Sequence, residues 1–296
     1  MFGSHLSIAG GLHHALLEAK RLKMDCVQIF TKNQRQWAAP DLSEVQVTTW
    51  RDHIKSTSIR STVSHDSYLI NLASPDRALR DRSINLFRHE LRNCASLEIP
   101  YLVTHPGAHM GQGETAGLKR VATALNRAHR SLRGCRVITC LEITAGQGTG
   151  LGYRFEHLQR IIDSVSEPER LAVCIDTAHA LAAGYDLTSA AGAKAVLHEL
   201  DDVIGLNRVR VLHVNDSKVP RGKRVDRHEH IGRGHVARDA FATILKHRAF
   251  TNVPKILETP KGKDDQGRNL DKLNLQRLRR LACSPRKATK RKRARA

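Results

Sequence analysis

The sequence predicts an α/β protein, a single (β/α)8 TIM barrel with its active site at the C-terminal face of the strands. Eight short apolar segments rich in β-branched residues recur along the chain. They alternate with segments whose apolar residues return every three or four positions. Strands that alternate with helices lie parallel and are joined by crossovers, and eight such units close into a barrel. The length of 296 residues suits one such barrel, which typically needs about 250 residues.

The eight predicted strands extend from the start of the chain to residue 259. They are FGSHLSI (2–8), CVQIFT (26–31), STVSHD (61–66), YLVTHPG (101–107), RVITCLEIT (136–144), LAVCIDT (171–177), RVRVLHVND (208–216) and VPKILET (253–259). Helix-like segments between them include 11–23, 74–98, 117–132 and 154–165, and a last helix is predicted over 269–282. Because no second domain or repeat is evident beyond this alternation, we predict one catalytic barrel over residues 1–282. A basic, disordered tail is predicted over 283–296.

The composition excludes several classes of protein. Hydrophobic residues make up 40% of the chain and charged residues 26%, as in ordinary globular proteins. No apolar run approaches the roughly 20 residues that span a bilayer. The first residues also lack the basic segment and long apolar run of a secretory signal. We therefore expect neither a membrane span nor export.

The six cysteines lie far apart and form no CxxC pair. This spacing predicts reduced thiols in a reducing compartment, and it disfavours both a disulfide framework and a thiolate zinc site. Any bound metal is therefore expected to use histidine and carboxylate ligands.

The formal net charge is +20 and the isoelectric point is about 10.2. A charge of this sign and size favours a polyanionic partner, and nucleic acid is the first candidate, because neutralised phosphates release their counterions. The stretch SPRKATKRKRARA (284–296) carries seven of the basic residues, so the body keeps a net charge of +13 without it. This tail is either a solvated appendage or a segment that binds DNA or directs nuclear import.

Six of the predicted strands, the third to the eighth, finish on a side chain that can bind a metal. These residues are His65, His105, Glu142, Asp176, His213 and Glu258. TIM barrels place their chemistry at the C-terminal ends of the strands, so these side chains are expected to converge.

Taken singly, each of these six residues has another explanation. The chain has 17 histidines, and a histidine is more often a hydrogen-bonded core or surface group than a ligand. Asp176 could cap a helix, and the two glutamates could pair with arginine or lysine. Together, however, three carboxylates at apolar strand ends would repel one another unless a cation lay among them.

A further ligand set follows from the region after strand six and from the stretch VDRHEHIG (225–232). His179 lies three residues after Asp176, while the spacing of Asp226 and His228 lets both face one side of an extended loop. His230 falls on the same parity and is the substitute if one of these two is not a ligand. The alternative for this stretch is a mobile charged loop. Histidine and carboxylate without thiolate favour zinc, with manganese or iron(II) as alternatives, and the candidates exceed the ligands of one zinc ion.

With these residues in place, the chain resembles the endonuclease IV family, the zinc-dependent apurinic/apyrimidinic endonucleases of DNA base-excision repair. The resemblance extends from about residue 3 to about residue 280. Its motifs are FTKNQRQW (30–37), SHDSYLINLASP (64–75), THPGAH (104–109), LEITAGQGTGLG (141–152), CIDTAHALAAGYD (174–186), LHVNDSK (212–218), VDRHEHIGRG (225–234) and ILET (256–259). The basic tail is a departure, because the family's core does not require it.

The resemblance implies three zinc ions per chain, with Mn²⁺ as an alternative at one site. His65, His105 and Glu142 would bind the first ion. Glu142, the implied catalytic residue, would bridge to a second ion bound by Asp176, His213 and Glu258. The third would be bound by His179, Asp226 and His228. Arg35, Tyr68 and Leu69 correspond to side chains that the family inserts at the DNA lesion, although from the residues alone Tyr68 and Leu69 fit a core and Arg35 a surface.

The implied function is cleavage of duplex DNA on the 5′ side of abasic sites by zinc-assisted hydrolysis, which leaves a 3′-hydroxyl and a 5′-deoxyribose phosphate. DNA with 3′-blocked ends is a further expected substrate. We expect a monomer in the bacterial cytoplasm, associated with the nucleoid, or in the nucleus of a eukaryote. The alternatives are a metal-dependent sugar isomerase of the same barrel class and a non-catalytic protein that binds DNA damage.

Overall fold

The computed structural model describes residues 1–283 and contains a closed barrel of eight parallel strands. The strands of the chain are β1 Phe2–His5, β2 Cys26–Ile29, β3 Ser61–His65, β4 Tyr101–Thr104, β5 Ile138–Glu142, β6 Leu171–Asp176, β7 Val209–His213, β8 Asp216–Ser217, β9 His228–Glu229 and β10 Lys255–Leu257. Each barrel strand pairs with its neighbours in sequence, and β10 pairs with β1 to close the ring. The predicted barrel is confirmed, and all eight of its strands fall within the predicted segments. Strands β8 and β9 form a separate antiparallel pair.

Helices connect the barrel strands and surround them. They are α1 Leu12–Arg21, α2 Glu44–Lys55, α3 Arg77–Ser96, α4 Glu114–Arg130, α5 Phe155–Asp163, α6 Thr177–Ala183, α7 Ala190–Val203, α8 Arg238–Leu245 and α9 Leu270–Cys283. Helix α4 shows the pattern that predicts them, because Leu118, Val121 and Leu125 recur at helical spacing and all are buried. Helix α2 is less evident in the sequence, since Trp50 is its one buried residue; a capping box between Ser43 and Gln46 begins it.

The core has two layers, as the fold requires. Apolar side chains between the strands and the helices form the larger layer, and a smaller layer fills the inside of the barrel. The inner layer consists of Cys26, Val63, Val103, Cys140, Ala172, Cys174, Val211 and Ile256. Strands buried on both faces are mostly apolar, which explains why they stand out in the sequence.

The sequence also led to expectations about membrane spans, the cysteines and the C-terminal tail. None of the helices in residues 1–283 is long and apolar enough to cross a bilayer. All six cysteines are free, and Cys283 ends the last helix. The predicted tail is, apart from Cys283, outside the described residues.

Candidate metal centre

The nine predicted ligands lie together at the C-terminal mouth of the barrel. His65, Glu142, Asp176 and His213 are the last residues of β3, β5, β6 and β7. His105 and Glu258 follow directly after β4 and β10. His179 lies in the first turn of α6, where Asp176 accepts a hydrogen bond from its backbone N–H at 2.8 Å. Asp226 precedes β9 and His228 begins it.

Glu142 lies at the centre of this group and is completely buried. Its Oε2 atom is 3.1 Å from Nε2 of His65 and 3.3 Å from Nε2 of His105. Its Oε1 atom is 3.0 Å from Nδ1 of His213 and 3.1 Å from Nδ1 of His179. One carboxylate therefore lies within 3.3 Å of ring nitrogens from four different segments of the chain.

Two compact ligand groups share Glu142. The first consists of His65, His105 and Glu142, and its ligand atoms all lie within 4.8 Å of one another. The second adds Asp176, His213 and Glu258 to Glu142 within the same limit. In the second group, Nδ1 of His213 lies 3.1 Å from Oε2 of Glu258 and 4.0 Å from Oδ2 of Asp176. These are the residue sets that the resemblance implies for the first two ions.

The third group differs in one member from the expected set. The residues within 4.8 Å of one another are Asp176, His179 and His228. Asp226 is nevertheless adjacent, with Oδ1 at 3.2 Å from Nε2 of His179 and 3.5 Å from Nε2 of His228. Its side chain is 44% exposed, so it lies at the solvent side of the group while Asp176 lies at the buried side.

His230 is outside these groups. Its Nδ1 atom lies 3.0 Å from the side-chain amide of Asn274 in α9. The parity argument that offered His230 as a substitute depends on an extended strand, but β9 ends at Glu229. His230 therefore packs against the helix layer.

Hydrogen bonds behind the imidazole rings fix which nitrogen carries the proton. Nδ1 of His65, His179 and His228 faces the backbone carbonyl of Asp66, Ile143 and Glu258, at 2.8, 3.0 and 3.3 Å respectively. Nε2 of His213 faces Oε1 of Gln28 at 2.8 Å. A carbonyl oxygen only accepts hydrogen bonds, so the proton lies on these outer nitrogens. The lone pairs of the inner nitrogens then point into the cluster, which is the arrangement of metal-binding histidines.

The inward lone pairs require a positive charge between them. Nε2 of His179 and Nε2 of His228 are 3.3 Å apart, and both face Asp226, so two ring nitrogens and a carboxylate converge and a proton or a metal ion must lie among them. Nδ1 of His213 lies in the same way between Glu142 and Glu258. A set of imidazole and carboxylate donors in this arrangement fits divalent zinc.

The pKa shifts of these residues also show that the cluster attracts positive charge. Burial alone would raise the pKa of Glu142, but His213 and His105 outweigh it and hold that pKa well below its ordinary value. Burial opposes protonation of His213, yet Cys174, Glu258 and Glu142 raise its pKa well above the ordinary value. For Asp226, burial raises the pKa, while His179 and His228 lower it to about 2. The carboxylates of Glu142 and Asp226 are therefore ionised and attract cations.

Two polar residues that support the ligands were not predicted. The side-chain amide of Gln28, in β2, donates to Oε1 of Glu258 at 2.7 Å while its carbonyl faces His213. Asn215 donates from Nδ2 to Oδ2 of Asp176 at 2.7 Å and accepts from the backbone N–H of Glu258 at 2.7 Å. The sequence does contain a sign of each residue. Gln28 is the one polar residue of β2, and Asn215 is the polar residue that follows His213 and Val214 at the end of an apolar segment.

One thiol also reaches the cluster. The sulfur of Cys174 lies within 4.8 Å of ligand atoms of Glu142 and His213. Burial raises the pKa of this thiol to about 12, which keeps it protonated at neutral pH. The wide spacing of the cysteines gave no indication of this placement.

The residues predicted to contact DNA lie on loops that border the cluster. Arg35 is exposed in the loop after β2, and Tyr68 and Leu69 lie in the loop after β3. Tyr68 is 72% exposed, so it is not a core residue, and its ring centre is 6.2 Å from that of His65. A cavity of about 420 Å³ adjoins the cluster and is lined in part by His65, Tyr68, His105 and Asp226.

Comparison with known proteins gives one family, relatives along the whole chain, and fold neighbours. The family described as Xylose isomerase-like TIM barrel matches residues 16–281. "Probable endonuclease 4" from Chloroflexus aurantiacus is 48% identical over 280 residues, which cover 95% of this chain and 97% of that protein. The structure of endonuclease IV from Thermus thermophilus superposes with a TM-score of 0.82 at 34% identity, over 95% of this chain and 98% of that one. A D-tagatose 3-epimerase-like protein shares the fold, with a TM-score of 0.71 at 18% identity over 94% and 95% of the two chains.

Proposed function

The chain belongs to the endonuclease IV family of nucleases, and we propose that it cleaves duplex DNA on the 5′ side of abasic sites. The products would be a 3′-hydroxyl and a 5′-deoxyribose phosphate. The observation that carries this proposal is the position of Glu142, whose two oxygens each face two imidazoles at the mouth of the barrel. A rim of this kind suits hydrolysis of a phosphodiester whose charge must be neutralised.

The proposed cofactor is zinc, three ions per chain, with Mn²⁺ as an alternative at one site. His65 and His105 would hold one ion together with Glu142, and Asp176, His213 and Glu258 would hold a second that Glu142 also contacts. His179, Asp226 and His228 would hold the third. Bound zinc would lower the pKa of water from about 15.7 to about 7 and neutralise charge on the phosphate.

Glu142 would orient the attacking water. Its low pKa keeps the carboxylate ionised, so it can accept a hydrogen bond from water throughout the reaction. Water would attack the phosphorus directly and lose a proton to solvent, the bond to the departing 3′-oxygen would break, and that oxygen would take up a proton to leave as a hydroxyl. No covalent enzyme intermediate would form. Asp226, whose side chain is partly exposed, would connect the third group to solvent.

The exposed loops would recognise the lesion. An abasic nucleotide has lost its pairing and stacking, so moving it out of the duplex costs less than moving an intact nucleotide. Tyr68 and Leu69, beside the ligand His65, and Arg35 on the adjacent loop would occupy the gap left in the duplex. The net charge of +20 would supply the attraction to the DNA backbone.

A metal-dependent sugar isomerase is the second candidate, since a D-tagatose 3-epimerase-like protein has this fold. At 18% identity that likeness concerns the fold alone. The group formed by His179, His228 and the aspartates exceeds what one metal ion at a sugar site requires. A strongly basic chain is also not needed to bind a neutral sugar.

A nicking assay separates the candidates. A 5′-labelled duplex with one tetrahydrofuran abasic analogue is incubated with the full chain, with and without a chelator, beside an intact duplex and a ketose epimerisation assay. We expect a single cut 5′ to the analogue that the chelator abolishes and that leaves an end extendable by a DNA polymerase. Cutting on the 3′ side, chelator-resistant cutting, or epimerisation without cutting would contradict the proposal.

A further inference from the structure

We propose that a buried clamp formed by Lys32, Ser67 and Glu90 holds the two candidate DNA-contacting loops together, so that they meet the lesion as one preformed unit. The arginine loop is defined as residues 33–37 and the tyrosine loop as residues 67–71. The inference rests on the proposed function, because it concerns how that site recognises abasic DNA. All three clamp residues are nearly inaccessible to solvent, so none of them is itself a DNA contact.

Ser67 joins the two loops directly. Its hydroxyl donates to the backbone carbonyl of Gln34 at 2.8 Å, which connects the start of the tyrosine loop to the arginine loop. The same oxygen accepts from the backbone N–H of Leu69 at 3.3 Å. One hydroxyl therefore shapes the turn that carries Tyr68 and also ties that turn to its neighbour.

Glu90 binds the first residue of the tyrosine loop and Thr31, which precedes the arginine loop. It projects from α3 and is completely buried. One carboxylate oxygen accepts from the backbone N–H of Ser67 at 3.0 Å, and the other accepts from the hydroxyl of Thr31 at 3.3 Å. Burial raises the pKa of Glu90 to about 7, against the influence of Lys32. A buried carboxyl is unfavourable unless its oxygens are bonded, and here both oxygens bond to loop roots.

Lys32 closes the arginine loop. Its ammonium group donates to the backbone carbonyls of Asn33 and Gln36, at 2.6 and 2.5 Å. The side chain of Asn33 accepts from the backbone N–H of Arg35 at 3.0 Å. The turn that presents Arg35 is thus fixed by bonds made inside the protein, and the lysine charge is directed inward instead of toward DNA.

A preformed pair of loops reduces the conformational entropy that is lost when DNA binds. Loops that are ordered only on binding lose conformational freedom at that moment, which weakens the affinity, whereas preorganised loops avoid this loss. Because the loops would touch the lesion and not the intact backbone, the benefit falls on abasic DNA. The clamp residues are accordingly positioning residues that act through Arg35, Tyr68 and Leu69.

Ser67→Ala removes the bond between the loops and leaves the metal ligands in place. We expect KM for an abasic duplex to rise roughly fivefold, the effect of about one net hydrogen bond, while kcat stays within about twofold. Affinity for an intact duplex and zinc content should not change. Hydrogen exchange of the backbone amides should quicken in residues 33–37 and 67–71 and nowhere else.

Ser131→Ala is the matched control. Its hydroxyl bonds to the carbonyl of Ala128 at 2.7 Å at the C-terminal end of α4, on the opposite face of the barrel, so both KM and loop exchange should equal those of the wild type. Unchanged exchange in both loops of Ser67→Ala, or equal weakening for abasic and intact duplexes, would overturn the clamp. If Ser67→Ala lowers protection throughout the barrel, Glu90→Gln provides a second test. It keeps one oxygen to accept from the Ser67 amide but replaces the oxygen that accepts from the Thr31 hydroxyl with an amide donor, so faster exchange is again expected in residues 33–37 and 67–71. Absence of nicking by the wild type would refute the proposed function instead, and the exchange data would still decide on the clamp.

Discussion

Replacing Glu142 by glutamine tests the proposed chemistry at its centre. The change keeps the shape of the side chain but removes the charge that lies 3.0 to 3.3 Å from four imidazole nitrogens. A unit negative charge about 3 Å from a unit positive charge, such as one on a cation that these imidazoles would hold, contributes roughly 5 kcal/mol at an effective dielectric constant of about 20. If the transition state loses this contribution, turnover falls by about three to four orders of magnitude.

Binding should respond differently from turnover. The loops that would contact the lesion do not depend on the Glu142 charge, so we expect Glu142→Gln to bind an abasic duplex with nearly wild-type affinity. Fluorescence anisotropy measures the binding, and single-turnover nicking of the same duplex measures the chemistry. Zinc content is determined on the same preparation, so that a loss of metal can be distinguished from a loss of chemistry.

Glu18→Gln is the matched control for this experiment. It makes the same chemical change on the surface of α1, where Glu18 pairs with Arg21, and it should leave both binding and turnover unchanged. Near-normal turnover of Glu142→Gln would remove this residue from the mechanism. Equal losses of binding and turnover would show that Glu142 maintains the structure of the mouth and has no specific part in hydrolysis.

Three further predictions concern the tail, the support of the ligands and the acid stability. Deleting residues 284–296 removes seven positive charges, so the dependence of DNA affinity on salt should become shallower while turnover at low salt is unchanged; an unaltered salt slope would contradict this. Gln28→Met removes both bonds to His213 and Glu258, and it should lower zinc affinity roughly 10- to 100-fold in chelator competition, whereas exposed Gln266→Met should have no effect. Burial and Arg170 lower the pKa of His129 from 6.5 to about 3, so between these pH values the unfolded chain binds a proton that the folded chain does not. His129 should therefore contribute about 1.4 kcal/mol per pH unit to the fall in the free energy of unfolding as the pH decreases across this window. In denaturant titrations His129→Gln should lower the slope of that free energy against pH by this amount; parallel pH profiles for the two proteins would contradict the prediction.

The barrel could be predicted from the sequence because its signal is local. Most of the barrel strands are rich in apolar and β-branched residues, and the helices between them repeat at their own period, so the alternation is visible without any knowledge of tertiary contacts. The same logic indicated which strand ends would share the mouth. It places His65, Glu142, Asp176 and His213 on one rim, because parallel strands in a closed ring end on one face.

What the sequence could not supply is the direction of each side chain and the identity of its neighbours. Asp176 contacts two ligand groups because it ends β6 and begins α6, a geometry that spacing alone does not fix. Gln28 and Asn215 support the ligands through hydrogen bonds to residues far along the chain. Cys174 contacts the cluster from the layer of side chains inside the barrel. Loop residues have no periodicity at all, which is why the parity argument could not place His230.

The metal content of the full chain is the most direct test of the proposed site for three zinc ions. Protein prepared without chelators and dialysed against zinc-free buffer is analysed for zinc and manganese together with protein concentration. We predict about three zinc ions per chain, in keeping with three or four protein ligands for each ion and a shared Glu142. A content of one ion or none, in protein that nicks abasic DNA, would contradict it.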